Sequence, residues 1–318
     1  MIEDAPIHST FLLSPMPIST RAIALLSSLS IALVLSAPMS SQAQTVSNLR
    51  EGMQTVTVDR VLDELAQMNV VYLGETHDQA ADHASQLAII QQLYDRNPDL
   101  AIGLEMIQRP FQASLDQYLA GDISETELRE QTEYDQRWGY NWEYYAPILR
   151  FAQAHQLPVV ALNTPTEITR RVAQKGLLGL QPEDERWVPA IQDLDTSSVG
   201  YRQLLWDLYA QHSHGHSQGF ENFFLAQVLW DETMAEAIAA FVSDRPDTVM
   251  VVLAGRGHIV YHYGIPSRVQ RRLDDRPNVF QQRSLLLSDT PVGDEPAAST
   301  LPSGESLPPM ADYLWISE

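Results

Sequence analysis

Residues 70–77 read Val70-Val71-Tyr72-Leu73-Gly74-Glu75-Thr76-His77. Four consecutive apolar or aromatic residues with β-branched members make a strand buried on both faces. The polar group that follows puts an acid and an imidazole at its carboxyl end. The same grammar recurs along the chain: Leu100-Ala101-Ile102-Gly103-Leu104 leads into Glu105, Pro158-Val159-Val160-Ala161-Leu162 into Asn163, and Thr248-Val249-Met250-Val251-Val252-Leu253 into Ala254-Gly255-Arg256-Gly257-His258. Between these runs the apolar spacing changes to three and four. Leu87, Ile90 and Tyr94 share one helical face, and Trp142, Tyr145, Ile148 or Leu149, and Ala152 share another. Further helices are expected as two short pieces over 110–133 around Gly121-Asp122, after Thr164-Pro165, over 200–210, over 219–243 and near 265–274. Alternating strand and helix with near-continuous apolar strands predicts an α/β fold: a mostly parallel sheet with helices on both faces, in three layers.

In a parallel sheet all carboxyl ends lie on one edge, where ligands bind. Glu75, His77, Glu105, Asn163 and His258 are therefore expected to converge, although they are far apart in sequence. Two carboxylates, two imidazoles and an amide suit a divalent cation such as Mn, Fe or Zn through N and O donors. Taken singly, each has a plainer reading. Glu105 and Asn163 are good helix caps, and the histidines are ordinary hydrogen-bonded side chains. Together they point to a site. His83, six residues after His77, shares it only if a turn separates them. Gln227, Asp231 and Met234 fall on one helical face, which makes Asp231 either a ligand or partner of a histidine, or part of a solvated acidic face with Glu232 and Glu236.

Two other features remain open. His212-Ser213-His214-Gly215-His216 reads as a polar loop with adventitious metal affinity, or as a source of a haem ligand. Trp138-Gly139-Tyr140-Asn141-Trp142 with Tyr144 and Tyr145 is mostly core, or walls a flat cofactor with a tyrosine as iron ligand. Gly255-Arg256-Gly257 is no dinucleotide loop, because Val260 stands where a small residue is needed and no helix opens there. P-loop, H-E-x-x-H and G-x-S-x-G patterns do not occur in the sequence.

The ends speak to export. Arg21, an apolar run over 22–37 and small residues at Ser41 and Ala43 form a secretory signal with a cut after Ala43, preceded by an extension before Met16. Residues 1–43 are thus expected to be removed, leaving a periplasmic or secreted protein with no stable membrane insertion. Residues 50–287 read as one domain, with a last strand over Val279–Leu287. Residues 288–318 read as a Pro/Ser-rich disordered tail, whose Tyr313-Leu314-Trp315-Ile316 docks back as an edge strand. There is no cysteine, so thiolate metal sites, covalent C-x-x-C-H haem and lipid attachment to a cysteine are excluded. The formal net charge of −21 disfavours nucleic acid and anionic lipid as partners and favours cations or a ligand carrying one.

Gly74-Glu75-Thr76-His77 with His83, Glu105-Met106, Leu162-Asn163, Asp231 to Met234-Ala235, and Gly255-x-x-His258 with Gly264-Ile265-Pro266 together resemble the ChaN family of the Tiki superfamily, over roughly residues 60–285. The resemblance implies a fold shared with erythromycin esterases and an exported haem-binding protein of iron uptake, binding haem in a homodimer through a tyrosine and a histidine. It makes Glu75, His77, His83, Glu105, Asn163, Asp231 and His258 the candidate haem-pocket residues. The alternative it implies is a metal-dependent hydrolase of Tiki type, with Glu75, His77 and His258 catalytic and Glu75, His77, Glu105 and His258 around the metal. Many ChaN proteins are lipoproteins, and a chain without cysteine departs from that pattern.

Overall fold

The computed structural model describes residues 44–212, 219–274, 280–289 and 307–317. The expected signal segment, most of the His212–His216 loop and the bulk of the Pro/Ser-rich tail lie outside the described residues.

Strand β3 (Val70–Glu75) shows why the sheet is buried on both sides. Val71 and Leu73 enter one apolar cluster, while Val70 and Tyr72 enter another. The alternation repeats in β6 (Val249–Gly255), where Val251 and Leu253 face one way and Met250 and Val252 the other. Side chains two apart share a face, so a run without polar interruption serves two cores. The first core is closed by α1 (Val58–Leu65), α2 (Ala80–Arg96), α3 (Gln112–Ala120), α4 (Glu125–Gln131) and α6 (Trp142–His155). The second is closed by α9 (Phe220–Asp244) and α10 (Ile265–Leu273). The result is the three-layer α/β arrangement.

Eight strands form one sheet in the order β2-β1-β8-β7-β3-β6-β4-β5. From β8 (Tyr313–Ser317) through β7 (Gln282–Ser288), β3, β6 and β4 (Leu100–Gln108) to β5 (Val159–Asn163) all neighbours are parallel. The antiparallel pairings are those of β1 (Gln44–Asn48) with β8 and with β2 (Gln54–Val56). The C-terminal segment does dock, but as an inner strand between β7 and β1 rather than as an edge. Its apolar residues alternate between the two cores, which an edge position would leave half covered. The sheet thus takes in residues on both sides of 50–287.

Helix limits follow local chemistry. Ser124 and Glu127 form a capping box at the start of α4, and Gly121 closes α3 in the left-handed region at φ 81°. α7 (Thr166–Lys175) follows Pro165. Turn signals around 176–193 become three short 3₁₀ turns, and α8 (Val199–His212) follows. A four-residue helix, α5 (Tyr134–Arg137), precedes the aromatic loop.

Candidate functional site

The parallel core of the sheet delivers its polar residues to one edge, as the spacing predicts. Glu75 is the last residue of β3, Asn163 the last of β5, and His258 ends a 3₁₀ turn (Arg256–His258) directly after β6. Glu105 differs. It lies inside β4, which continues to Gln108, and the register between β4 and β5 shifts between Leu104 and Gln108. Pairing of β4 with β6 ends at Leu104. Glu105 therefore sits at the irregularity, and its Oε2 accepts the Gly255 N–H at 2.7 Å.

Two carboxylate–imidazole pairs organise the edge. In the first, Glu75 Oε1 lies 2.8 Å from His77 Nδ1. Tyr145 donates its hydroxyl to the same oxygen at 2.5 Å, and Gln86 Nε2 donates to Oε2 at 2.5 Å. Both Glu75 oxygens are engaged, and His77 Nδ1 is turned towards the carboxylate. His77 Nε2 has no hydrogen-bond partner among the described residues. It lies over Gly255, where an added Cβ would stand 2.7 Å from both Nε2 and Cε1. A side chain there would push the ring away, so glycine is a packing requirement. In the second pair, His258 Nδ1 is 2.6 Å from Asp231 Oδ1 and its Nε2 is 3.3 Å from Glu105 Oε1. Tyr201 donates its hydroxyl to the other Asp231 oxygen.

The charges follow from this geometry. Burial opposes the charged form of His258, but Glu105 and Asp231 on either side outweigh it and lift its pKa to about 10. Burial would raise Glu105, yet the charge and hydrogen bond of His258, the charge of His77 and the Gly255 N–H bring it below the usual carboxylate range. Burial also opposes charge on His77, and the hydrogen bond to Glu75 with the charges of Glu105 and Glu75 raises it nonetheless. Burial and the neighbouring Glu75 push Tyr145 far up, so it stays a neutral donor. Tyr201 is held neutral by burial and by Asp231.

An open cleft of about 330 Å³ lies above these groups, lined by Glu75, Thr76, His77, Asp78, Tyr140 and the Gly255–His258 turn. The aromatic segment is divided. Trp142 and Tyr145 are core, while Trp138 meets His77 edge-on at 4.8 Å between ring centroids and Tyr140 lies at 5.0 Å. Tyr140 is 38% exposed and is the tyrosine on the cleft.

The remaining candidates support the site without facing the cleft. His83 is buried on α2, with a turn separating it from His77. Its Nε2 is 3.1 Å from the His77 carbonyl, its Nδ1 is 3.1 Å from Gln86 Oε1, and its ring stacks on Tyr144. It positions Gln86 and the His77 backbone. Asn163 donates to the Glu105 carbonyl at 2.7 Å and holds the irregular turn of β4. Asp231 and Glu232 are fully buried, which corrects the solvated-face alternative. Glu232 instead binds Arg271 and Arg272 at 2.7 Å. Met234 is core. The sequence does not single out Gln86 or Tyr201, and it offers Tyr145 as core or as part of a cofactor wall rather than as a hydrogen-bond donor to Glu75. A polar residue one turn after His83 was the available signal for Gln86.

Glu75, His77, Glu105 and His258, the expected metal set, come together at this edge as hydrogen-bonded carboxylate–imidazole pairs. Among the described residues no group of three or more His, Asp or Glu side chains is arranged to hold a metal ion. The physical reason lies in the lone pairs. The oxygens of Glu75 and Glu105 face protein partners, and both His258 nitrogens face carboxylates and so carry protons. His77 Nε2 faces the cleft without a hydrogen-bond partner among the described residues.

Solved structures include several to which the chain is similar. The chain is similar to a solved structure described as cofacial heme binding to ChaN of Campylobacter jejuni, with a TM-score of 0.65, 18% identity, and coverage of 86% of this chain and 97% of that one. A mutant erythromycin esterase, EreC, in its open conformation gives a TM-score of 0.45 at 15% identity, covering 84% and 83%. The type III effector HopBA1 gives 0.44 at 12%, covering 80% and 93%. No curated protein sequence matches. Residues 61–269 match the family described as haem-binding uptake, Tiki superfamily, ChaN, and the chain belongs to that family.

Proposed function

We propose that this is an exported haem- or iron-binding protein of iron acquisition, with the strand-end cleft as its site. The observation that carries the reading is the cleft-facing imidazole nitrogen, His77 Nε2, which has no hydrogen-bond partner among the described residues and lies beside the exposed ring of Tyr140. A carboxylate on the far ring nitrogen fixes the tautomer and strengthens the near nitrogen as a donor. His77 would supply an axial ligand to haem iron, Glu75 would hold it, and Trp138 and Tyr140 would lie against the apolar macrocycle. Membership of a haem-binding uptake family supports the ligand class. The Campylobacter jejuni ChaN, similar in fold, is described as binding the same ligand.

The same family supports a place outside the cytoplasm. Among the described residues no helix is long and apolar enough to cross a membrane.

The test is an absorption titration of the mature chain with haemin. A saturable Soret shift that is lost or strongly weakened in His77→Ala supports the site. Undiminished binding in that variant would remove it.

A further inference from the structure

The two ends of the sheet are closed in different ways. At one end β2 is three residues long, and a short edge offers little to an incoming strand. At the other end β5 has five residues and, among the described residues, no strand beyond it. Its inner neighbour is β4, where the Ile102 N–H donates to the Pro158 carbonyl at 2.9 Å. Backbone groups of successive residues turn to alternate sides of a strand, so those of Val159 and Ala161 point outward. Left open, such groups are a template for another chain.

Gln112, the first residue of α3, occupies that side. Its Nε2 donates to the Val159 carbonyl at 2.8 Å, and its Oε1 accepts the Ala161 N–H at 2.7 Å. A residue of a parallel neighbouring strand bonds in the same way, donating to one residue and accepting from the residue two further on. One side-chain amide thus reproduces one link of a ladder. Asp116, one turn along the helix, accepts from the same Nε2 at 2.8 Å. It sets which end of the amide faces which group, because a turned amide would point its oxygen at both the Val159 carbonyl and the Asp116 carboxylate.

We propose that the outer edge of β5 is a strand-pairing interface for a second copy of this chain, held shut by the side chain of Gln112. The copy that fits presents the same edge. About a two-fold axis two β5 strands meet antiparallel, and each offers the outward groups that the other needs. Gln112 satisfies those groups from within its own chain and so competes with the copy. The strand it closes ends at Asn163, whose Nδ2 donates to the Glu105 carbonyl at 2.7 Å, so the closed edge also carries a residue of the site. Neither Gln112 nor the groups it binds line the cleft, and the proposal stands without the haem reading.

The mature chain without haem is compared with Gln112→Ala and Gln112→Lys by sedimentation velocity over a range of concentrations and by hydrogen exchange at the Ala161 amide. In the parent that amide should be protected. In Gln112→Ala it should exchange roughly tenfold faster or more, and the variant should associate, with rising concentration, beyond the state of the parent. Gln112→Lys loses the same two bonds but places a charge on the edge. It should exchange as fast as the alanine variant and yet keep the state of the parent. That contrast separates strand pairing from a general loss of stability, under which both variants would associate alike. Three results would overturn the proposal: an Ala161 amide that exchanges freely in the parent, an alanine variant that stays in the state of the parent, or equal association of the two variants. The first of these needs no variant to fold.

Discussion

His258 Nδ1 lies 2.6 Å from Asp231 Oδ1, joining the turn after β6 to the middle of α9 beneath the cleft. The carboxylate arrives from a helix on the second face of the sheet, so the site is tied to that layer by a charge-assisted bond. Removing one partner strands the other as an uncompensated buried charge. Asp231→Ala is expected to destabilise the protein by about 3–5 kcal/mol, read as a lowered urea midpoint. A loss well below 1 kcal/mol would show that His258 is not held as a charged group.

The same pair sets a pH dependence. The folded pKa of His258 is about 10, against its ordinary 6.5. Its contribution is therefore fully present below the unfolded value and is lost as pH rises through the folded one. Between about pH 6.5 and 10 the folded state binds the extra proton, so stability should fall with pH at up to about 1.4 kcal/mol per unit. Glu105 works in the opposite sense, contributing above its unfolded value and losing that contribution as pH falls through its lowered folded value. Urea titrations of the parent and of His258→Gln should differ in slope across the alkaline window. Parallel curves would contradict the assignment.

Glu75 acts on ligands through His77. Replacing Glu75 with Gln keeps the shape and removes the charge that orients the ring. Haem affinity should fall roughly 10–100-fold in an absorption titration, without loss of the saturable signal. An unchanged affinity would mean that the iron is held elsewhere.

Gly255 offers a test that leaves the chemical groups in place. A Cβ at this position falls 2.7 Å from the His77 ring, and the flexible side chain yields before the strand does. Gly255→Ala should therefore weaken haem binding as His77→Ala does, while the thermal midpoint changes little. Normal haem binding in this variant would show that the observed ring position is not the binding one.

The central strands and helices were legible because their period is unambiguous. The run 70–73 and the run 248–253 admit no amphipathic helix, and the strand-end rule then placed Glu75, His77 and His258 together. Glu105 was placed on the right edge but misread as following its strand, since a register shift inside β4 leaves no trace in hydrophobic period. The fates of Asp231 and Glu232 were not decidable from spacing. A buried acid and a solvated one occupy the same helical positions, and the choice depends on Tyr201, His258 and the arginines of α10. The donor set is legible in the same limited way: residue types give the donors, but only the hydrogen bonds of Gln86, Tyr145 and Gly255 show how each is held.

The placement of β8 has a consequence for the order in which the molecule can assemble. β1 and β2 reach the sheet solely through β8, so the first residues of the described chain wait for the last. Contacts of such sequence separation close slowly. A ribosome must release the C-terminus before the N-terminal strands find their place, and until then the chain remains open at that side.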